Sequence, residues 1–256
     1  MKALITGASS GIGKDMARYL ASMKVELILV ARNREKLEKL QEELPTKTTI
    51  IVTDLSIEQK VKELYVLTKN ENIDILINNA GFGVCCDFDK GELAIDLPMI
   101  ETNIKAVHIL TKAFLRDMIK KNKGYILNVA SSAGLLPGGP LMATYYATKS
   151  YVVSLTEAIF YELKRKKSEV SISCLCPGPV NTNFNEVANV AFKVKAMDSK
   201  TVAKYAIDEM FKKKMLIIPG FKMKCMKFFS HFLSDKSLLR KTYKIQYRKI
   251  RKTKSN

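Results

Sequence analysis

Two side chains spaced one helical turn apart could perform acid–base chemistry. Tyr145 and Lys149 are four residues apart, so on a helix they share a face and their side chains meet. A phenol, with an ordinary pKa of about 10, is a poor acid–base catalyst at neutral pH. Because a neighbouring ammonium stabilises the phenolate, it lowers that pKa towards the working range. The spacing therefore predicts a catalytic tyrosine assisted by a lysine.

Two serines precede this pair in the chain, at Ser131 and Ser132. A serine hydroxyl can hold a carbonyl oxygen beside the phenol, so that the oxygen is protonated as a hydride reaches the carbonyl carbon. A tyrosine and a lysine at this spacing also occur together by chance on helix surfaces. The motifs that surround the pair, and their order, therefore decide whether these residues indicate a site.

A glycine-rich turn near the N-terminus is suited to binding phosphate. Gly7 permits a tight turn, Gly11 lets the backbone approach a pyrophosphate, and Gly13 allows a helix to pack close to a sheet. The turn follows a predicted strand and opens a predicted helix, whose free N–H groups and dipole favour anions. We therefore predict a nucleotide-binding turn that comprises Gly7, Ser9, Ser10, Gly11, Ile12 and Gly13.

The residues after the second predicted strand bear on the choice of nucleotide. An NAD-binding domain usually places an acid here for the adenosine ribose hydroxyls, whereas this chain has Arg32, with Arg34 close by. A guanidinium is planar and always charged, and it can bind two oxygens of a 2′-phosphate. The sequence therefore favours NADP(H) over NAD(H).

Further candidate residues follow the third and fourth predicted strands. Asp54 and Leu55 follow the third strand, and Asn79, Ala80 and Gly81 lie at the end of the fourth. In open α/β sheets, ligands bind at the carboxyl ends of the parallel strands. The Asp54 carboxylate could accept a hydrogen bond from an adenine amine, or it could cap the helix that follows.

Alternating strands and helices have to position these residues. Over the first 218 residues, short β-branched runs predict strands and amphipathic stretches between them predict helices. This alternation indicates an α/β protein with a doubly wound parallel sheet, a Rossmann fold of about seven strands. The predicted strands are 3–6, 25–30, 48–53, 73–78, 124–130, 170–175 and 216–218, and the predicted helices are 13–22, 34–44, 57–69, 99–121, 145–166 and 200–213.

The order of these motifs resembles that of the short-chain dehydrogenase/reductase family, over residues 1 to about 218. The resemblance implies a Rossmann-fold enzyme that transfers a hydride between a nicotinamide cofactor and a carbonyl or alcohol. It also implies that the segment with Pro177, Gly178, Val180 and Thr182 borders the nicotinamide. In the same way, the Asn-Asn-Ala-Gly motif that ends at Gly81 is similar to the motif that supports the family's central sheet.

The resemblance also implies catalytic roles, residue by residue. Tyr145 matches the family's acid–base tyrosine, and Lys149 matches the lysine that lowers its pKa and holds the nicotinamide ribose. Ser131 matches the serine that orients the carbonyl oxygen. Asn103 matches the asparagine that orders a proton-relay water.

One spacing departs from the family's pattern. Ser131 and Tyr145 are fourteen residues apart, one more than is usual, and we place the extra residue in 137–140. Ser132 would restore the usual spacing, whereas Ser131 keeps the Asn-x-x-Ser-x-x-Gly frame that begins at Asn128. We choose Ser131 as the catalytic serine and keep Ser132 as the alternative.

Residues 219–256 form a basic helical extension to the predicted catalytic domain of residues 1–218. They include twelve Lys and Arg residues and a single acid, so they carry +11 of the formal +18 net charge. The extension shows two apolar stripes, one of Met223, Met226, Phe229 and Leu233 and a weaker one of Leu239, Tyr243, Gln246 and Ile250. Basic amphipathic helices suit anionic membrane surfaces. A pocket lid, an oligomer contact and a solvated tail remain open, and we do not expect nucleic acid because no recognition motif accompanies the charge.

Composition bears on the size of the core, the cellular compartment and the presence of a metal site. With 47% apolar residues the chain can bury a sizeable core, and no run approaches the ~18 apolar residues that a membrane-spanning helix needs. Five cysteines in unrelated contexts favour a reducing cytoplasm, and we expect no signal peptide because a strand runs straight into the glycine turn. We expect no metal site, because the one Cys-x-Cys pair has no second pair of ligands.

These features together predict an NADPH-dependent carbonyl reductase; the alternative is a non-catalytic, cofactor-binding regulatory or membrane-associated scaffold protein. The resemblance implies that the segment 183–198, after the sixth predicted strand, sets the substrate. Its Phe184, Val187, Val190 and Phe192 suggest a hydrophobic ketone, although the same residues suit a plain lid helix. We further expect a homo-oligomer, either a dimer or a tetramer, in the cytoplasm, with or without peripheral contact with a membrane.

Overall fold

A parallel sheet brings the carboxyl ends of its strands to one edge. The computed structural model describes residues 1–182 and 196–253, with side chains through Tyr247. Within these residues the strands are β1 (Lys2–Thr6), β2 (Glu26–Ala31), β3 (Thr48–Val52), β4 (Ile75–Asn78), β5 (Tyr125–Val129), β6 (Ser171–Leu175) and β7 (Leu216–Ile217). All pair in parallel, in the order β3-β2-β1-β4-β5-β6-β7. The direction of winding reverses between β1 and β4, which is where ligands bind in open α/β sheets.

Helices cover both faces of the sheet. They are α1 (Gly11–Ser22), α2 (Arg34–Glu43), α3 (Glu58–Thr68), α4 (Leu93–Ile100), α5 (Val107–Lys121), α6 (Ala143–Arg165), α7 (Ser199–Phe211), α8 (Phe221–Ser230) and α9 (Asp235–Thr253). Strand side chains alternate between two apolar layers. Ile5 of β1 lies in the layer formed with α1, α2 and α7, whereas Leu4 lies in the layer formed with α3, α5 and α6. The predicted doubly wound fold is therefore confirmed.

The predicted elements lie within two residues of the observed bounds, except at one helix. The prediction for 99–121 began after Pro98, but α4 begins at Leu93 and includes Pro98. Pro98 is the sixth residue of this helix, beyond the first turn, and it lacks the N–H that would bond to the Ala94 carbonyl, but the preceding turn forms nonetheless. A π-helical stretch, Glu101–Ala106, then joins α4 to α5. Such irregular turns often mark functional positions.

Buried side-chain hydrogen bonds join the centre of the sheet to α5 and α6. Asn78 Nδ2 on β4 donates to Asn128 Oδ1 on β5 at 2.9 Å and to Thr111 Oγ1 on α5 at 3.0 Å. Asn128 Nδ2 donates to Thr156 Oγ1 on α6 at 3.0 Å. Because all four residues are buried, breaking one bond would leave polar groups without partners. The network fixes α6, which carries Tyr145 and Lys149, and α5, which continues from the π-helical stretch that carries Asn103.

The C-terminal extension packs against the rest of the chain. A Cβ atom at Gly178 would lie 2.7 Å from Met223 Sδ on α8, and one at Gly138 would lie 3.2 Å from Leu239 on α9. Among the described side chains the predicted second stripe is wrong at one position, because Thr242 is buried whereas Tyr243 is 42% exposed; the Ile250 side chain lies outside the described residues. The first stripe also divides: Met223 and Met226 are half-buried, whereas Phe229 and Leu233 are exposed. No helix in the described part of the chain is long and apolar enough to cross a bilayer.

Candidate active site

A cleft of about 650 Å³ opens at the carboxyl ends of the strands. Of the residues predicted to bind cofactor or to act in catalysis, all but Gly13 and Asn103 line it. The lining predicted residues are Gly7, Ser9, Ser10, Gly11, Ile12, Arg32, Asp54, Leu55, Asn79, Ala80, Gly81, Ser131, Tyr145, Lys149, Pro177, Gly178, Val180 and Thr182. Its size falls in the usual range for ligand sites, about 300–1,000 Å³.

The glycine turn is fixed by Asn79. The Asn79 Nδ2 group donates to the carbonyl oxygens of Thr6 and Gly7, at 3.1 Å each. A side chain at Gly13 would collide with Asn79 and with the Gly7 carbonyl. Gly13 therefore packs against the turn itself and does not line the cleft. Gly11, with a φ of +54°, faces Thr182 on the opposite wall, where its Cβ would lie 3.0 Å from Thr182 Cγ2.

These residues fit the phosphates of a dinucleotide. The helix α1 begins at Gly11, and its N-cap, Ser10, makes no side-chain capping bond within the described structure. The first N–H groups of a helix have no partner in the helix itself. These N–H groups are therefore available to an anion in the cleft, and because Gly7 and Gly11 have no side chains, nothing at those positions blocks its approach.

The cationic groups at one end of the cleft differ in part from those predicted. Arg32 and Lys36 both line the cleft, and Lys36 is a residue that the sequence analysis missed. Arg34 does not line it; its guanidinium is 65% exposed and lies 3.5 Å from Glu38 on the outer side of α2. Asn33 caps α2 by accepting a hydrogen bond from the Lys36 N–H at 2.8 Å, which fixes how the helix is turned.

Asp54 does not cap the helix that follows, as one of its two predicted readings had it, because the N-cap of α3 is Ile57. Asp54 Oδ1 accepts hydrogen bonds from the Ser56 N–H at 2.9 Å and the Ser56 hydroxyl at 2.8 Å. The same residue lines the cleft. The carboxylate therefore orders the turn before α3, and its contact with an adenine amine stays a prediction.

Burial dominates the chemistry of Tyr145. The side chain is buried, and this burial raises the pKa of Tyr145 from 10.0 to about 12, while a hydrogen bond with the Ser131 side chain lowers it in part. Ser131 Oγ also accepts from the Ala133 N–H at 3.1 Å. Ser132 lines the cleft as well, and its N–H donates to the Pro177 carbonyl at 2.8 Å. Of the two serines, Ser131 is thus the one bonded to the phenol.

Lys149 is a buried ammonium beside the phenol. Its Nζ donates to the Val129 carbonyl at 3.0 Å and lies 5.8 Å from the centre of the Tyr145 ring. Burial lowers the pKa of Lys149 from 10.5 to about 8. The prediction that this lysine brings the Tyr145 pKa below its ordinary value is wrong for this structure, because desolvation of the phenol is the larger effect.

Asn103 lies in the π-helical stretch and holds a loop. Its Nδ2 donates to the Phe82 carbonyl at 2.8 Å and to Thr148 Oγ1 at 3.0 Å, and its Oδ1 accepts from the Phe82 N–H at 3.1 Å. A Cβ atom at Gly81 would lie 2.8 Å from Asn103 Oδ1 and 3.2 Å from Lys149 Nζ. Asn103 therefore supports the wall beside the lysine, and its role towards a proton-relay water stays a prediction.

Sequence reasoning missed other lining residues, above all Gln246 from α9. Gln246 donates to Tyr146 Oη at 2.9 Å across 100 positions of sequence, so no local pattern could indicate the contact. The predicted substrate residues Phe184, Val187, Val190 and Phe192 lie outside the described residues. Among the described side chains, no group of His, Cys, Asp and Glu is arranged to hold a metal ion.

Comparisons with known proteins agree with this geometry. A family model for short chain dehydrogenases matches residues 1–191. The 3-oxoacyl-[acyl-carrier-protein] reductase of Rickettsia prowazekii is 31% identical over 214 residues, which are 80% of this chain and 83% of that protein. A short chain dehydrogenase/reductase from Burkholderia phymatum in complex with NAD has a TM-score of 0.81 at 25% identity, covering 90% of this chain and 92% of that one. The bulky-bulky ketone specific alcohol dehydrogenase from Comamonas testosteroni has a TM-score of 0.77 at 27% identity, covering 90% and 91%.

Replacing the buried lysine should stabilise the ligand-free protein at neutral pH. Because the folded-state pKa of Lys149 is about 8 and its unfolded value about 10.5, folding carries a penalty that is complete below pH 8. We expect Lys149→Met to raise the free energy of unfolding by about 2 kcal/mol at pH 7, after allowing for the lost bond to Val129. The gain should shrink between pH 8 and pH 10.5.

Urea unfolding of both proteins across this pH range measures the difference. The control is Lys164→Met on the exposed side of α6, for which we expect no pH-dependent difference from the parent. A gain for Lys149→Met that stayed constant from pH 7 to pH 10.5 would contradict the assigned pKa shift.

Proposed function

The chain belongs to the short-chain dehydrogenase/reductase family, and we propose that it is an NADPH-dependent reductase of a hydrophobic ketone. It is an oxidoreductase that acts on CH–OH or C=O groups and uses a nicotinamide cofactor. The observation that carries the proposal is the buried phenol of Tyr145, bonded to Ser131 and flanked by Lys149 in the cleft. The alternative of a non-catalytic scaffold is not supported, because these acid–base groups are assembled at one place.

In the proposed reaction, NADPH bound in the cleft would supply the hydride. Tyr145 stays protonated throughout the neutral range because burial raises its pKa to about 12, so it can donate its proton to the carbonyl oxygen. Ser131, already bonded to the phenol, holds that oxygen in line. Lys149 lies close enough to stabilise the phenolate that forms when the proton leaves.

The preference for a hydrophobic ketone is supported by the side chains around Tyr145. Met99, Met142 and Tyr146 form a buried cluster with it, and Phe82 and Leu136 are among the half-buried side chains that pack against this cluster. The relatives in Rickettsia prowazekii and Comamonas testosteroni are named for 3-oxoacyl and bulky ketone substrates, respectively. An apolar wall beside the proton donor suits such substrates.

The preference for NADPH is supported by Arg32 and Lys36. Both side chains line the end of the cleft nearest to β2, where the adenosine ribose of a dinucleotide would lie. A 2′-phosphate placed there would meet two positive charges, whereas a ribose hydroxyl would find no acceptor on either of them.

A peripheral contact with an anionic membrane is supported by the outer side of α8 and the turn that follows it. Phe221, Phe228, Phe229 and Phe232 are between 60% and 80% exposed, and Lys222, Lys224 and Lys227 lie among them. Phe228 packs against Phe229 and Phe232, with ring centres 5.4 Å and 5.3 Å apart. Exposed aromatic rings with neighbouring lysines suit the interface of an anionic bilayer.

We keep two further proposals about the context of the enzyme. A homo-oligomer, either a dimer or a tetramer, is supported by the exposed apolar side chains Leu93, Ile95 and Leu97 of α4. A cytoplasmic location is supported by the five cysteines, all within the described ranges, which form no disulfide.

The cofactor proposal predicts an effect of Arg32 on NADPH alone. Removing a charge-assisted hydrogen bond costs about 1.5–3 kcal/mol, so Arg32→Ala should weaken NADPH binding about 10- to 100-fold and leave NADH binding nearly unchanged. Titration of both dinucleotides by fluorescence measures this. The matched control is Arg34→Ala, which should change neither affinity because Arg34 pairs with Glu38 outside the cleft. An equal loss for both dinucleotides in Arg32→Ala would disprove the assignment.

The mechanism predicts different effects for neighbouring side chains. Tyr145→Phe should lower kcat for ketone reduction by about 10³-fold or more with little change in NADPH affinity, because it removes only the proton donor. Tyr151→Phe, on the exposed side of the same helix, is the control and should retain kcat. Ser131→Ala should lower kcat more than Ser132→Ala, since Ser131 is bonded to the phenol. Retention of kcat in Tyr145→Phe would show that another group donates the proton.

The membrane proposal predicts salt-sensitive binding to anionic liposomes. Each basic residue near such a surface contributes about 1 kcal/mol, so changing Lys222, Lys224 and Lys227 to Gln should reduce partitioning about 100-fold at low salt. The control changes the exposed Lys164, Lys166 and Lys167 to Gln, with the same loss of charge at the end of α6. Sedimentation with anionic and neutral liposomes measures binding. Equal effects of the two triple variants, or no pelleting of the parent, would refute a docking role for α8.

A further inference from the structure

Gln246 reaches the substrate side of the cleft from the C-terminal helix. It is 3% exposed and lines the cleft together with Ser131, Met142 and Tyr145. Its helix, α9, lies beyond the residues 1–191 that the family model matches. This side chain is therefore a contribution of the extension to the site, separate from the acid–base groups.

A series of contacts holds the side chain in place. Gln246 Nε2 donates to Tyr146 Oη at 2.9 Å, and the Tyr146 ring packs so closely on Gly139 that a Cβ atom there would overlap it. Leu239 of the same helix packs against Gly138. The turn at 137–140, where we place the extra residue of this chain, is thus where α9 docks.

The other half of the Gln246 amide lacks a partner. Its Oε1 is buried just below the surface of the cleft that Gln246 lines, and it accepts no hydrogen bond from the residues that the structure describes. A buried acceptor without a donor costs about 1–3 kcal/mol, and an apolar side chain of similar size would avoid that cost. A glutamine here is explained if a small rotation of its side chain brings this oxygen to a donor on a ligand in the cleft.

The surroundings limit which ligand group could be that donor. An amide oxygen accepts hydrogen bonds and does not donate them, so a carboxylate or phosphate is excluded as its partner. The +11 charge of the extension disfavours an ammonium group. The cluster that contains its partner Tyr146 also includes the apolar side chains Met142, Phe82 and Leu136. What remains is a neutral hydroxyl or amide N–H on an otherwise apolar molecule.

We propose that Gln246 is a specificity-determining residue, whose Oε1 accepts a hydrogen bond from a hydroxyl or amide N–H of a mainly apolar carbonyl substrate. The inference rests on the proposed reductase function and narrows its substrate class. In this proposal α6 and the strand ends supply the acid–base chemistry, whereas α9 recognises a second functional group of the substrate.

Matched pairs of ketones test this inference. The probes are ω-hydroxy-2-alkanones of increasing length with their O-methyl ethers, and keto-amides with their N-methyl derivatives; in each pair the second member lacks the donor. In the parent protein the best-placed donor should raise kcat/KM about tenfold or more over its blocked partner. In Gln246→Met, which keeps the side-chain length and removes the acceptor, this ratio should fall to about 1, mainly through KM.

A structural role for Gln246 is tested separately. Thr242→Val changes a buried polar residue one turn earlier on the same side of α9, so it reports on helix packing without removing the acceptor. We expect it to keep the parent's ratio, with melting temperatures measured for both variants. An equal loss of the ratio in Thr242→Val and Gln246→Met would overturn the inference, because packing alone would then explain it.

Binding measured alongside turnover separates this inference from the proposed function. Calorimetry on Tyr145→Phe in the presence of NADPH gives the affinity for each ketone without reaction. In one outcome the parent binds the donor ketones more tightly than their blocked partners, Gln246→Met loses this difference, and the parent turns none of them over. This outcome would support the role of Gln246 and overturn the reductase proposal for such ketones. Turnover with equal kcat/KM within every pair would support the reductase and overturn the inference. Failure of every probe both to bind and to react would overturn the inference too.

Discussion

The side-chain amide of Asn79 holds together the two strands between which the cleft opens. It donates to the carbonyls of Thr6 and Gly7, and the Thr6 hydroxyl accepts in return from the N–H groups of Asn79 and Ala80. The amide fills the space that a side chain at Gly7 or Gly13 would need. Because the winding of the sheet reverses between β1 and β4, this contact fixes the glycine turn relative to the strand ends that carry the rest of the site.

Burial gives the catalytic end its chemistry and also makes it costly to fold. It moves the pKa of Tyr145 up to about 12 and that of Lys149 down to about 8, so each group is pushed towards its neutral form. A neutral phenol is the form that gives a proton to a carbonyl oxygen, which suits reduction. Oxidation would need the phenolate, and the ammonium 5.8 Å from the ring is the group able to stabilise it. In the proposed reaction Tyr145 would therefore supply the proton, and Lys149 would stabilise the anion that this step leaves.

Local spacing was enough to predict the sheet, the glycine turn and the pairing of Tyr145 with Lys149, because each depends on neighbours in the chain, whereas Ser131 and Asn103 were chosen through the resemblance to the family. Three features depend on other contacts and were missed or wrong. The Asn33 cap turns α2 so that Lys36 lines the cleft while Arg34 pairs with Glu38. The docking of α9 buries Thr242 in place of Tyr243 and brings Gln246 to Tyr146. The direction of the Tyr145 shift depends on burial, which spacing does not encode.

The C-terminal extension meets the cleft at two points with opposite chemistry. Met223 of α8 packs against Gly178, and Gln246 of α9 bonds to Tyr146, and both of these partners line the cleft. The outer side of α8 presents exposed phenylalanines among lysines, whereas α9 turns an amide inward. A hydrophobic ketone concentrates in a bilayer, so a surface that docks α8 on lipid would bring the cleft close to such a substrate. The two proposals are nevertheless separable, because the lysines of α8 and the amide of Gln246 lie on different helices and act on different molecules.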